Sequence, residues 1–311
     1  MSAANNRSLR LTEAEERAYL SRCLCPEGPL TEAEEENRVL RGDSFALLPL
    51  LPRASVDLLI ADPPYNLSKD YSGARFSRMP EADYAAWTAR WLDLCLPLLK
   101  PGASVYVCCD WRSGLVIGPL LEERFRLRNR ITWQREKGRG ARANWKSAME
   151  DIWFATVSED YCFHPERVRQ RRRVLAPYRE GGVPKDWEQT EAGRFRNTAP
   201  LNFWDDITVP FWSMRENTPH PTQKPEKLMA KLILASSDAG GVVLDPFLGS
   251  GSSAVAAKKL GRHYVGIERE AQYCLWAEQR LEMAETDKTI QGYADGVFWE
   301  RNTAAMQKKH R

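Results

Sequence analysis

The apolar run Leu58-Leu59-Ile60-Ala61 leads straight into Asp62-Pro63-Pro64-Tyr65-Asn66. A carboxylate at the end of a strand, two prolines and an aromatic ring can together hold a flat molecule that carries an amino group. Proline fixes φ and has no N–H, so the turn is stiff and presents oxygens outward. Asp62 offers one acceptor and the Pro63 carbonyl a second. An exocyclic amine on a heteroaromatic ring is a poor nucleophile, because its lone pair is delocalised into the ring. Two acceptors on its N–H groups can pull the nitrogen toward a tetrahedral, reactive geometry. Tyr65 can stack on the ring, and such stacking is worth about 1–3 kcal/mol per base. A base in a duplex must leave the stack to reach such a site. Pro63 and Pro64 would then act by orientation rather than by covalent chemistry. The plainer reading is a strand end, a rigid turn and a core tyrosine. It suits a bare Asp-Pro-Pro, but a second stretch argues against it here.

That stretch is VVLDPFLGSGSSAVAAKKLGRHYVGIE, residues 242–268. A strand ends at Asp245, a Gly249-x-Gly251 turn follows, then a helix, then a strand ending in Glu268. The pattern is that of a nucleotide-binding strand–helix–strand unit. Glycines let the backbone approach a ligand closely and take positive φ. A carboxylate at the end of the second strand can accept both ribose hydroxyl protons. The glycine spacing departs from the dinucleotide fingerprint, and Asp245 just before the loop would repel a pyrophosphate. It suits a cationic ligand, such as S-adenosylmethionine with its ammonium and sulfonium. By itself the loop is also compatible with a purely structural strand-to-helix turn.

These residues need elements to position them. Residues 56–61, 104–110, 241–247 and 263–268 read as buried strands, and residues 126–136 and 151–158 as further strands. Helices are expected over 81–99, 224–237, 251–261 and 271–285, and from Gly114 despite the following glycine and proline. Strands alternating with helices imply an α/β fold: a mostly parallel, Rossmann-like sheet with helices on both faces. The expected organisation is an acidic lead-in (1–37), a catalytic half (38–159), a loop-rich inserted recognition region (160–218), a cofactor-binding half (219–285) and a polar tail (286–311).

Composition bounds the partners. Of 311 residues, 43% are hydrophobic and 28% charged, enough for a sizeable core in a water-soluble protein. No run approaches a membrane span, and the opening MSAANNRSLRLTEAEERAYL has no apolar signal core, so a cytoplasmic protein with no membrane partner is expected. The seven cysteines are scattered and odd in number, which fits reduced thiols. The four histidines lie far apart, so no metal site is expected. Net charge is only +3, but the middle of the chain is basic while residues 1–40 are acidic. A local surface for a polyanion is one reading and a solvated charged insertion the other.

Asp62-Pro-Pro-Tyr65, His220-Pro-Thr-Gln-Lys-Pro225 and Asp245-Pro-Phe-Leu-Gly-Ser-Gly251 together resemble the signature motifs of the DNA amino-methyltransferases. Their order resembles the beta class, a circular permutation of the usual methyltransferase fold, over roughly residues 38–285. The resemblance implies a seven-stranded sheet, S-adenosylmethionine as methyl donor and double-stranded DNA as partner. It assigns catalysis to Asp62, Pro63, Pro64 and Tyr65. It implies that Phe247, Gly249, Gly251 and Ser252 line the cofactor, with Asp245 at the ammonium end, Asp62 adjoining, Glu268 on the ribose and Asp43 near the adenine ring. Thr222 and Lys224 would meet the methionine carboxylate. Ser252 and Ser253 stand where a threonine is common in the family.

Asp in the tetrapeptide favours N6 of adenine within this family; N4 of cytosine remains the alternative. Carbon-5 chemistry on cytosine needs a Pro-Cys turn, and only the reverse, Cys25-Pro26, occurs. RNA or a protein glutamine amide is a rival acceptor, and a non-catalytic DNA-binding protein on the same scaffold a rival of another class. Candidate DNA contacts are Arg135, Lys137, Arg139, Arg142, Asn144, Trp145 and Lys146 in a glycine-containing loop, and Arg171, Arg172 and Arg173 in RVRQRRR. A cognate restriction endonuclease and a second copy of the chain stay open as partners.

Overall fold

The computed structural model describes residues 12–71, 74–139, 143, 145–175, 177–191, 193–211, 214–301 and 303, without side-chain detail at 69–71, 74–75 and 136–139. Its main sheet contains eight strands: β1 (Arg38–Arg41), β2 (Val56–Ala61), β3 (Leu99–Cys109), β4 (Arg126–Arg139), β5 (Ser147–Thr156), β6 (Phe203–Trp204), β7 (Val242–Asp245) and β8 (His263–Glu268). Their spatial order is β1-β8-β7-β2-β3-β5-β4-β6. The first five run parallel, β5 is antiparallel to both neighbours, and β6 lies parallel to β4. The α/β reading therefore holds, with β6 added at one edge.

Helices on both faces explain why the run at residues 58–61 of β2 is apolar on every residue. Leu58 and Ile60 point to one face, where they meet Leu228, Met229, Leu232 and Ile233 of helix α3 (Glu226–Ser236) and Ala254 to Ala257 of α4 (Ser252–Lys259). Leu59 and Ala61 point to the other, against Trp91 and Leu92 of α1 (Glu81–Cys95) and Ile117 and Leu121 of α2 (Trp111–Arg124). Each fully buried Leu or Ile contributes roughly 1.5–3 kcal/mol relative to exposure. Helix α5 (Ala271–Thr286) completes the first face through Cys274, Ala277 and Leu281. Helix α2 does carry Pro119 inside it and is capped by Asp110, whose carboxylate accepts from the Ser113 amide at 2.8 Å.

Three expectations need correction. The described part of the lead-in, residues 12–37, is part of the fold: Leu24 bridges to Leu40, Arg22 pairs with Glu282 at 2.5 Å, and Tyr19, Cys23 and Glu35 are buried. The inserted region is not merely loop-rich. Strands Glu188–Thr190, Gly193–Thr198 and Gln170–Arg173 join Val297–Trp299 and Tyr293–Ala294 in a second, five-stranded sheet. The expected polar tail thus supplies two of its strands, with Phe298 and Trp299 buried. That sheet covers the outer side of α3 through Val168, Ala230, Leu234, Ala235, Ile290 and Phe298, which is why α3 is buried all round. Its two interior lysines, Lys227 and Lys231, both close on Asp206, at 2.7 and 2.8 Å. No helix among the described residues is long and apolar enough to cross a membrane.

Candidate active site

The order β1-β8-β7-β2 brings four carboxylates to one edge of the sheet, because each strand carries an acid at its C-terminal end: Asp43, Glu268, Asp245 and Asp62. Ligands of open α/β sheets bind in this position, beyond the carboxyl ends of the strands. All four line one cavity of about 310 Å³, walled also by Phe45, Trp87, Phe247 and Tyr273.

The glycine loop is held from beneath. Glu268 accepts from the Gly249 amide at 2.8 Å and the Glu270 amide at 2.7 Å. Gly249 and Gly251 take φ of +56° and +84°, a left-handed region that glycine enters at no steric cost. A Cβ on Gly251 would stand 2.8 Å from that of Ala277, and one on Gly249 3.2 Å from His220 Nε2. Arg280, buried under the loop, donates to Ser250 O at 2.6 Å, Ser252 Oγ at 3.1 Å and Glu226 at 3.0 Å. Asp245 accepts from the Phe247 amide at 2.9 Å and from the Ser253 hydroxyl. Burial pushes its pKa up to about 7 against these bonds, with Asp62 and Glu268 adding to the rise. Burial raises Glu268 as well. A pocket whose acids resist ionisation is one that gains by taking in a cation.

The Asp-Pro-Pro-Tyr turn is braced on every side. The Tyr84 hydroxyl donates to Pro64 O at 3.1 Å, and Asn66 exchanges two 2.9 Å bonds with the Met79 backbone. Among the described residues no hydrogen bond ends on the Pro63 carbonyl. Tyr65 lines the cavity, but its hydroxyl lies 3.0 Å from Asp62 Oδ1 and 3.2 Å from Glu150 Oε2. Burial, then Asp62 and Glu150, raise its pKa well above the usual phenol value.

Lys224 does not point away as a spare cation. Its ammonium is 2.6 Å from Asp62 Oδ2, 3.1 Å from the Tyr65 oxygen and 3.3 Å from Glu150 Oε2. Burial works against the charge, but Asp62 and Glu150 outweigh it and hold the pKa above the ordinary lysine value. Two protein carboxylates thus hold the ammonium expected to meet a ligand carboxylate. Thr222 lines the cavity, and its amide donates to His220 Nδ1 at 3.3 Å. Ser252 donates to Lys224 O at 2.6 Å, and Asp43 caps the short helix Ser44–Leu47 through the Phe45 amide at 2.8 Å.

Sequence reasoning missed Glu150, which is buried and joined to Lys224, Tyr65 and Arg135. Its place in β5, between Met149 and Asp151, gave no signal, since Lys224 and Tyr65 are far away in sequence. Arg135 is accordingly not a spare phosphate contact. Nor is Arg171: it is buried, pairs with Glu188, and lies over the Phe195 and Trp299 rings at 5.1 and 5.2 Å. Arg172 is half-buried and shared with Gln170 and Asp205. Arg173, Trp145 and Lys146 are exposed. Lys137 and Arg139 lie in β4 with side chains outside the description, and Arg142 and Asn144 fall outside the described residues. Cys162, His164 and Asp238, with a single histidine among them, converge, and Arg167 already holds the Asp238 carboxylate at 2.9 Å.

A family model for DNA methylases of the N6/N4 methyltransferase type matches residues 56–279. The Type II methyltransferase M.HpaI of Haemophilus parainfluenzae is 31% identical over 250 residues, 79% of this chain and 74% of that protein. DNA adenine methyltransferase YhdJ of Escherichia coli (strain K12) is 31% identical over 263 residues, 82% of this chain and 86% of its own. The fold is shared with the cytosine-N4-specific PvuII DNA methyltransferase, at a TM-score of 0.58 and 16% identity over 80% of this chain and 91% of that one. It is shared too with the M1.HpyAVI–SAM complex, at 0.50 and 23% over 78% and 98%.

Proposed function

The chain belongs to the N6/N4 DNA methylase family, and from that premise we propose that it transfers a methyl group from S-adenosylmethionine to the N6 amine of an adenine turned out of DNA. The observation that carries this reading is the single cavity bounded by the Asp62 carboxylate, Pro63 and Tyr65 on one side and by Asp245, the glycine loop and Glu268 on the other.

The residues fit the cofactor. Asp245 and Glu268, both raised toward neutrality by burial, suit an ammonium and a pair of ribose hydroxyls, and four neighbouring acids disfavour a phosphate. The aromatic wall of Phe45, Trp87 and Phe247 suits a flat heterocycle, with Asp43 at its edge. The bound cofactor supplies an electrophilic methyl group on a sulfonium. The chain's own residues do the rest. Lys224 and Tyr65 fix the direction of the Asp62 carboxylate, which can then accept a hydrogen bond from one amine N–H while the Pro63 carbonyl accepts one from the other. As the nitrogen gains its new bond it becomes cationic. Asp62 stabilises that charge and accepts the proton shed. Adenine is favoured by aspartate in the tetrapeptide and by the relation to YhdJ, which is named for adenine.

The test is transfer of isotopically labelled methyl to unmethylated DNA, followed by digestion to nucleosides. Labelled N6-methyldeoxyadenosine is expected. Labelled N4-methyldeoxycytidine would overturn the base, and label confined to RNA or protein the acceptor. Asp62→Ala should lose transfer by at least about 10²-fold, within the range for a positioned acid–base group, while still binding cofactor by calorimetry. Retained turnover would remove Asp62 from this role.

A further inference from the structure

Beside the catalytic turn lies a connected set of charges, two of which, Glu150 and Arg135, the transfer step itself does not call for. Asp62, Lys224, Glu150 and Arg135 run in sequence from the cavity into the sheet, alternating in sign, with the Tyr65 hydroxyl within reach of the first three. Glu150 and Lys224 are 8% and 7% exposed. Burying two ion pairs is not an efficient way to gain stability, since an apolar replacement often does as well. It does fix directions, because each charge is held by more than one partner. Trp133 pairs with Glu150 and Gln134 with Met149 across β4 and β5, so Arg135 and Glu150 stand at the root of the segment 136–149. That segment carries most of the candidate DNA contacts.

We infer that Glu150 and Arg135 are positioning residues for the transfer: they hold Lys224 and Tyr65, and through them set the direction of the Asp62 carboxylate, tying it to the DNA-facing segment. The inference rests on the methyl-transfer reading, and refines it by placing a control of Asp62 outside the Asp-Pro-Pro-Tyr turn. Glu150 does not line the cavity; it acts through Lys224 and Tyr65.

The experiment uses the full chain with Glu150→Gln, which keeps the shape but removes the charge and replaces one of the two accepting oxygens with an N–H donor, and with Arg135→Gln and Arg135→Lys. Two readouts are taken. In steady-state transfer to DNA, E150Q is expected to lower kcat by about 10- to 100-fold, the span of one charge-assisted hydrogen bond, with cofactor affinity and DNA affinity within about twofold. R135Q should lower kcat less, and R135K less again. In competitive acetylation read by mass spectrometry, Lys224 should be sluggish in the wild type and faster in E150Q, measured against Lys100. The groups that face Lys224 are Asp62, Glu150, Tyr65 and Cys108, and only Glu150 is altered. Unchanged kcat in E150Q overturns the inference. So does a loss of kcat matched by equal losses in both affinities, which would mean a structural role. Should E150Q not fold, R135Q carries the same two readouts from a half-buried position. Absence of transfer by the wild type would sink the enzymatic reading instead, and acetylation would still report whether Glu150 holds Lys224.

Discussion

At the scale of single residues, the least ordinary group in the cavity is Asp245. A buried carboxyl beside two other acids has its pKa raised to about 7, so in the ligand-free protein it is about half protonated at neutral pH. A bound ammonium would favour the carboxylate and draw that pKa down. The free form then binds more protons than the bound form, so binding releases a proton as the pH falls through about 7 and affinity declines below it. Cofactor affinity measured by calorimetry should be level near about pH 8 and weaker by about tenfold at pH 6, a fall of up to tenfold per unit. Asp245→Asn should be weak at every pH and lack the slope. A level profile in the wild type would mean that no cation of the ligand meets this carboxyl.

At the scale of elements, the glycine loop can be tested where it is tightest. Gly251 opens α4 at φ +84°, and a methyl group there would run into the Ala277 backbone and Cβ of α5. Neither neighbour is a flexible side-chain tip, so the loop or the helix must shift. Gly251→Ala should cost about 1–3 kcal/mol by chemical denaturation, together with a loss of cofactor affinity larger than the loss of stability alone explains. A neutral variant would show that the loop has slack.

These elements were also the most legible in the sequence, for a physical reason. A parallel strand buried on both faces reads as an unbroken apolar run, and its chemistry begins where the run stops, at Asp62 and Asp245. Legibility fails where burial depends on a distant partner. Val297–Trp299 is three residues long and is built into the five-stranded sheet by pairing with Gln170–Arg173, over a hundred residues earlier. Arg171 reads as one of a charged run, yet Phe195 and Trp299 enclose it. Glu150 looks like a strand acid turned to water until Lys224 is brought across the sheet to meet it. The Asp-Pro-Pro-Tyr and glycine-loop motifs were readable because each is local; the charge set behind them is not.

For the molecule as a whole, the surplus of positive charge in its middle overstates what DNA would feel. Arg135 is held by Glu150, Arg171 by Glu188, and Arg172 is shared with Asp205. Of the candidate basic contacts, the others, Lys137, Arg139, Arg142, Lys146 and Arg173, are the ones expected to meet phosphates. About five such contacts give a slope of roughly −4 to −5 in log affinity against log salt. Raising salt from about 50 to 200 mM should then weaken DNA binding by about 10²–10³-fold, whereas engagement of every candidate cation would approach about 10⁴-fold. Lys146→Ala should flatten the slope by about one unit. Arg171→Met should leave the slope alone and instead loosen the five-stranded sheet, seen as a lower denaturation midpoint. A steep slope that Arg171→Met reduces would mean that the buried arginine turns outward to DNA; a slope near zero would mean that the basic segment is not where the polyanion lies.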